Sequence, residues 1–154
     1  MKLLLHYTSK GRCDWADTAA EDYTKRLRRY APFEEQKHKP EAGQNRDQAQ
    51  LKEAQRIVNK LGPRDRLIVL DERGTSLSSH GLANLIEESA LVATNRLVFA
   101  IGGPYGHHVS MRTKATKCIK LSEMVLNHQV ARVLLLEQLY RAWTILKNEP
   151  YHHA

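Results

Sequence analysis

Apolar residues along the chain gather in two kinds of run, short continuous ones and longer ones that repeat every three or four positions, and the two kinds alternate. KLLLHY at 2–7 is of the first kind and predicts a strand followed by a glycine loop. From Trp15 to Tyr30 the second kind takes over. Trp15, Ala19, Tyr23, Leu27 and Tyr30 are expected to share the buried face of a helix, while Lys25, Arg26, Arg28 and Arg29 crowd its solvent side. PFEEQKHK is a polar candidate for a second strand, and PEAGQNRDQ reads as an exposed connection. A helix follows from Asp47 to Leu61 with Leu51, Ala54, Ile57, Val58 and Leu61 inward. It is expected to end at Gly62-Pro63, where glycine accepts a left-handed conformation and proline cannot continue the ladder.

RLIVLD at 66–71 predicts a buried strand, ERGTSLSS the turn after it, and Ser78 or Ser79 the cap of a helix through GLANLIEES. RLVFAIGG at 96–103 is apolar almost throughout, so helices should cover both faces of that strand. Beyond Gly106 come a helix through VSMRTKAT, a short strand KCIKLS, an extended EMVLNH loop and a last helix from Gln129 to Lys147. Helix, strand, helix, strand in that order predicts an α/β fold built on a parallel sheet, within one domain over 1–154. The last helix carries more apolar residues than one stripe can hold, among them Val133, Leu134, Leu135, Leu136, Leu139 and Trp143. It therefore asks for two partners, which is met either by a second subunit in a homodimer or by an unusually buried helix within a monomer.

Composition sharpens this picture modestly. The net charge of +7 favours contact with a polyanion, and its dispersal over KRLRRY, KHK, GPRDR and MRTKATK suggests a basic face assembled by folding. Cys13 and Cys118 stand far apart without metal-site companions, which fits free thiols in a reducing compartment. MKLLLHYTSK turns polar too soon for a signal peptide or spanning helix, so no membrane association is expected. The expected location is the cytoplasm, or an organelle if a targeting segment was removed before Met1.

Ligands of open α/β sheets bind beyond the carboxyl ends of the strands. Three segments arrive there: LDERG, GGPYG and LSEMVLNH. Glycines at 102, 103 and 106 permit close backbone approach, and Pro104 stiffens the turn, so the loop is either a simple turn or a ligand floor. Neither a phosphate loop nor a G-x-G-x-x-G fingerprint is present, and no G-x-S-x-G supports a hydrolytic triad. His107-His108, His128 and His152-His153 lack zinc-site spacing, so no metal is expected. Glu137 and Arg141, four apart on the last helix, read as an ion pair or as ligand contacts. The polar aromatic tail at Tyr151 and His152 is either frayed or folded over something.

IGGPYG, LSEMVLNHQVARVLLLEQLYRAW and the terminal NEPYHH resemble the small ribosomal RNA methyltransferases of the SPOUT superfamily that methylate N3 of a pseudouridine in large-subunit RNA, and the resemblance extends over essentially the whole chain. It implies a parallel α/β sheet with helices on both faces, a C-terminal trefoil knot that forms a pocket for S-adenosylmethionine, and a homodimer acting on rRNA, most naturally within the ribosome. Carried over by position, the cofactor-lining residues are Leu70, Gly102 and Gly103, with Leu121, Ser122, Glu123, Met124, Val125, Leu126 and Asn127. Arg132, His128, Tyr151 and His152 are the catalytic candidates: a histidine to accept the N3 proton, or Arg132 to stabilise the anionic base. Glu137, Tyr140 and Arg141 match the same pattern. Alternatives of the same fold are a catalytically idle RNA-binding relative and a methyltransferase for another RNA, such as tRNA. Tyr105 departs from the acidic or small polar residue of many relatives, and Asn127 from their proline.

Overall fold

A computed structural model describes residues 1–43 and 45–153 of the chain. The predicted connection PEAGQNRDQ includes Gln44, which lies outside the described residues. Among the described residues ten elements alternate strictly: β1 (Lys2–Thr8), α1 (Asp14–Leu27), β2 (Phe33–His38), α2 (Arg46–Val58), β3 (Asp65–Ser76), α3 (Ser79–Leu91), β4 (Arg96–Ile101), α4 (Val109–Lys114), β5 (Lys117–Lys120) and α5 (His128–Leu146). The strands form one sheet of order β2-β1-β4-β3-β5, parallel throughout. The polar FEEQKH run is thus a strand, as expected, and its polarity suits the sheet edge it occupies.

Alternation along the strands divides the core in two. Leu3, Leu5, Leu97, Phe99, Ile68 and Ile119 pack under α1, α3 and α5, whereas Leu4, Leu67, Val69, Val98 and Ala100 pack under α2 and α4 through Ala54, Ile57 and Met111. Both faces of the central strands are therefore apolar, which is why RLVFAI reads as a continuous run.

Four expectations change. α1 is rotated by one residue: Ala16, Ala20 and Leu27 are buried and Trp15 is 56% exposed, because the small alanines allow the helix to lie close to α5 where a tryptophan would hold it off. α2 does not end in a left-handed glycine; it closes at Asn59, and Gly62 spends its amide on Asp65 Oδ2 at 2.8 Å. β3 outruns RLIVLD. Leu70 and Thr75 both pair with Ile119, so Asp71–Gly74 bulges out before the strand resumes, and Ser78, not Ser79, caps α3. Finally, α5 finds both partners within the chain, lying against α1 and α3, so its apolar excess does not by itself require a second subunit.

α5 ends in a Schellman motif. Asn148 is left-handed (φ 55°), its amide donates to Ile145 O at 3.0 Å, and that of Glu149 reaches Thr144 O at 2.9 Å. The turn sends the last residues back along the helix.

Candidate active site

Beyond the carboxyl ends of β3, β4 and β5 lies a cleft of about 710 Å³, within the range of small-molecule sites. Its floor is the turn after β4. Gly103 and Gly106 bridge across it, with the Gly106 amide donating to Gly103 O at 2.9 Å, and Gly106 takes φ 75°. A Cβ on Gly102 would stand 2.8 Å from the Gly106 carbonyl carbon, so only glycine allows the chain to fold back this closely. Leu70, just before the bulge of β3, and Ile101, the last residue of β4, lie in the cleft, and the 121–127 segment forms a facing wall. There Met124 and Val125 are exposed at 78% and 84%. Large apolar side chains so placed suit contact with a bound molecule.

The third wall comes from the start of α2. Gln50 Nε2 donates to Tyr105 O at 2.9 Å, Asp47 sits 3.4 Å from His108 Nε2, and the Arg46 guanidinium lies 3.8 Å from the centre of the Tyr105 ring. Sequence reading passed over Arg46, Asp47 and Gln50. Their one signal was the polar outer face of an amphipathic helix, which most surface helices share. Asp71, in the β3 bulge, also lines the cleft and pairs with Arg112 at 3.3 Å. His107 is fixed beneath the floor, its Nε2 donating to Ala100 O at 3.1 Å, and burial lowers its pKa.

The structure places Leu70, Gly102, Gly103, Leu121, Ser122, Met124, Val125, Leu126, Asn127 and His128 together on this cleft. Glu123 is the exception, since its carboxylate turns outward to Lys120 Nζ at 2.8 Å. Asn127 supplies the N-cap of α5, its Oδ1 accepting from Gln129 N at 2.8 Å, a cap that a proline at this position could not make. His128 Nε2 meets Ser9 Oγ at 3.3 Å, and burial holds its pKa below the ordinary value.

Arg132, Tyr151 and His152 lie elsewhere. Arg132 is 5% exposed and bound by Glu35 (Nε–Oε2 2.8 Å) and Asp17 (Nη1–Oδ1 2.6 Å), with its guanidinium 4.3 Å from the Tyr7 ring. Two carboxylates spend its charge, so within one chain it cannot face a developing anion in the cleft. Both partners are remote in sequence, so the pairing is tertiary and not within the helix. Tyr151 and His152 fold back on α5: Tyr151 Oη donates to Glu137 Oε1 at 3.1 Å and Arg141 Nη1 lies 3.3 Å from His152 Nδ1. The Tyr151 phenol is pushed well above its ordinary pKa by burial first, then by hydrogen bonding with Tyr23 and the charge of Glu137. Glu137 and Arg141 are the predicted ion pair, 3.0 Å apart, and also the seat of the tail.

No group of three or more His, Cys, Asp or Glu that could hold a metal occurs among the described residues, and no helix there is long and apolar enough to cross a membrane. Cys13 and Cys118 are free thiols.

Known proteins resemble this chain over nearly its whole length. The family model described as "Predicted SPOUT methyltransferase" covers residues 1–152, and the chain belongs to that family. Among its relatives, the ribosomal RNA large subunit methyltransferase H of Geobacter sp. (strain M21) is 42% identical over 153 residues, 99% of each chain. The protein of the same name from Geobacter sulfurreducens is 44% identical over 154 residues, covering 99% of this chain and all of that one. A solved structure of a probable methylase family protein from Haemophilus influenzae Rd KW20 shares the fold, with TM-score 0.56 and 12% identity over 99% of this chain and 70% of that one.

The chain is accordingly an S-adenosylmethionine-dependent methyltransferase. The cleft fits that cofactor: it combines apolar wall residues, exposed Met124 and Val125, and glycine backbone that a side chain would displace.

Proposed function

We propose that the chain methylates N3 of a pseudouridine in 23S-type large-subunit rRNA, working as a homodimer. The observation that carries this reading is that LDERG, GGPYG and LSEMVLNH, separate in sequence, build one cleft. The full-length likeness to proteins named for large-subunit rRNA methylation supplies the substrate class.

When bound, the cofactor supplies a methyl group already activated on sulfonium, so the protein's task is alignment and exclusion of water. Gly102, Gly103 and the 121–127 segment would hold the adenosine through backbone groups and apolar side chains, chiefly Met124 and Leu126. Tyr105 and Arg46 form an exposed stacked pair at the mouth, a surface on which a nucleobase can lie.

The tail belongs to the dimer reading. His128 begins α5 and Glu137 lies nine residues on, about 13 Å along the axis. Tyr151 and His152, seated by Glu137 and Arg141, are thus set apart from their own chain's cleft, and a second subunit would bring one chain's tail to the other's cofactor. The reading includes a trefoil threading of the C-terminal part. It is supported by the route from the edge strand β5, past the ends of β3 and β4, to α5 against α1 and α3.

Calorimetric titration of S-adenosylmethionine into wild type and Gly102→Ala, followed by transfer of labelled methyl to ribosomes that lack the modification, tests the proposal. Saturable binding lost in the variant and label at a pseudouridine in large-subunit RNA are expected. Label in tRNA alone would redirect the substrate. No binding at about millimolar cofactor, where affinities near −4 kcal/mol still register, would leave an RNA-binding module.

A further inference from the structure

A line of polar side chains joins the buried Arg132 to the wall of the cleft, and its hydrogens can be assigned from donor chemistry. Arginine has donors only, so Arg132 Nη1, 3.4 Å from Gln129 Oε1, fixes which way that amide points. The amide nitrogen then donates to Ser9 Oγ at 2.7 Å. Ser9 is 1% exposed and owns one hydroxyl proton, and its other side-chain neighbour is His128 Nε2 at 3.3 Å. With one lone pair taken by Gln129, the hydroxyl donates to that nitrogen. Were Nε2 to carry the imidazole proton, Ser9 would face two donors and its own proton would be buried without an acceptor. The proton of a neutral His128 therefore sits on Nδ1. That atom has no partner among the described residues and is not one of the buried unpartnered atoms, so it stands on the wetted side of a ring that lines the cleft.

We propose that Arg132, Gln129 and Ser9 are positioning residues that hold His128 as the Nδ1–H tautomer, so that it meets the substrate as a hydrogen-bond donor and not as a proton acceptor. The proposal rests on the methyl-transfer reading above. An imide that loses its N3 proton to solvent spreads negative charge onto the flanking carbonyl oxygens, and a neutral N–H donor held nearby stabilises it. Arg132 then acts at a distance, through the order it imposes on its neighbours. His152, the other candidate acceptor, has its Nδ1 lone pair turned to Arg141 in the same way. Burial depresses the pKa of His128, which keeps the ring neutral in the working range.

Nitrogen-15 NMR of the full chain with labelled histidine reads the proton position without RNA, the His128 signals being assigned by their loss in His128→Gln. Wild type at neutral pH is expected to show Nδ1 protonated and Nε2 bare. Ser9→Ala should shift the proton toward Nε2, and Ser9→Thr, which keeps the hydroxyl, should restore the wild-type pattern. In methyl transfer Ser9→Ala should lower kcat with the cofactor KM unchanged, again with rescue by threonine. A wild-type ring protonated on Nε2, or a Ser9→Ala ring indistinguishable from wild type, overturns the proposal. A wild type with the Nδ1–H ring that methylates no RNA refutes the reaction and leaves the hydrogen-bond chain standing.

Discussion

His6 Nδ1 lies 2.7 Å from His38 Nε2, both rings buried between neighbouring strands, so one must donate and the other accept. A second proton has no place there. Burial first, then the charges of His38, Lys60 and Arg96, lower the His6 pKa from 6.5 to about 4, with Glu34 opposing, and burial with Lys60 and Arg56 lowers that of His38. The sign follows from proton counting. Between pH 6.5 and about 4 the unfolded chain binds a proton that the folded chain refuses, so stability is full above that window and falls as pH drops through it. Urea unfolding should lose on the order of 3 kcal/mol across it, and His6→Gln should flatten the slope. None of this pairing was legible in the sequence, because residues 32 positions apart meet only through strand register. The glycines of IGGPYG could be read, since their chemistry is local. Arg132 and Glu123 could not, because what each side chain faces depends on partners that folding brings in.

Elements were legible where period and breaker agreed. Strand β4 and the start of α3 fall where apolar run and cap placed them, but α1 was set one residue out of phase because the large buriable area of Trp15 and Tyr23 outweighs that of the alanines that the packing buries. The bulge in β3 left no period at all. It works through a close crossing: a Cβ on Gly74 would lie 2.5 Å from the Ile119 carbonyl carbon, with backbone on the far side that cannot give way. Gly74→Ala is expected to force β5 from β3 and to cost about 2 kcal/mol in thermal unfolding. Because Asp71, Glu72 and Arg73 of the bulge line the cleft, cofactor affinity should fall with it. Destabilisation with unchanged affinity would detach the bulge from the site.

At the scale of the molecule, element order yielded the parallel sheet and both covered faces, whereas strand order and the resting place of α5 needed coordinates. Trp15 and Val130, 56% and 40% exposed, start adjacent helices that Asp17 and Arg132 tie together. If copies associate through these helices, sedimentation at micromolar concentration should give about twice the 17.7 kDa chain mass, and Trp15→Glu with Val130→Glu should return the monomer. A wild type sedimenting at the chain mass would end the dimer reading. The sheet itself offers no competing route. One edge is FEEQKH and the other is four residues long with lysine at each end, so an incoming strand would meet charge on both sides. Concentrated protein should therefore resist fibril growth by strand addition, and association is left to the helical faces.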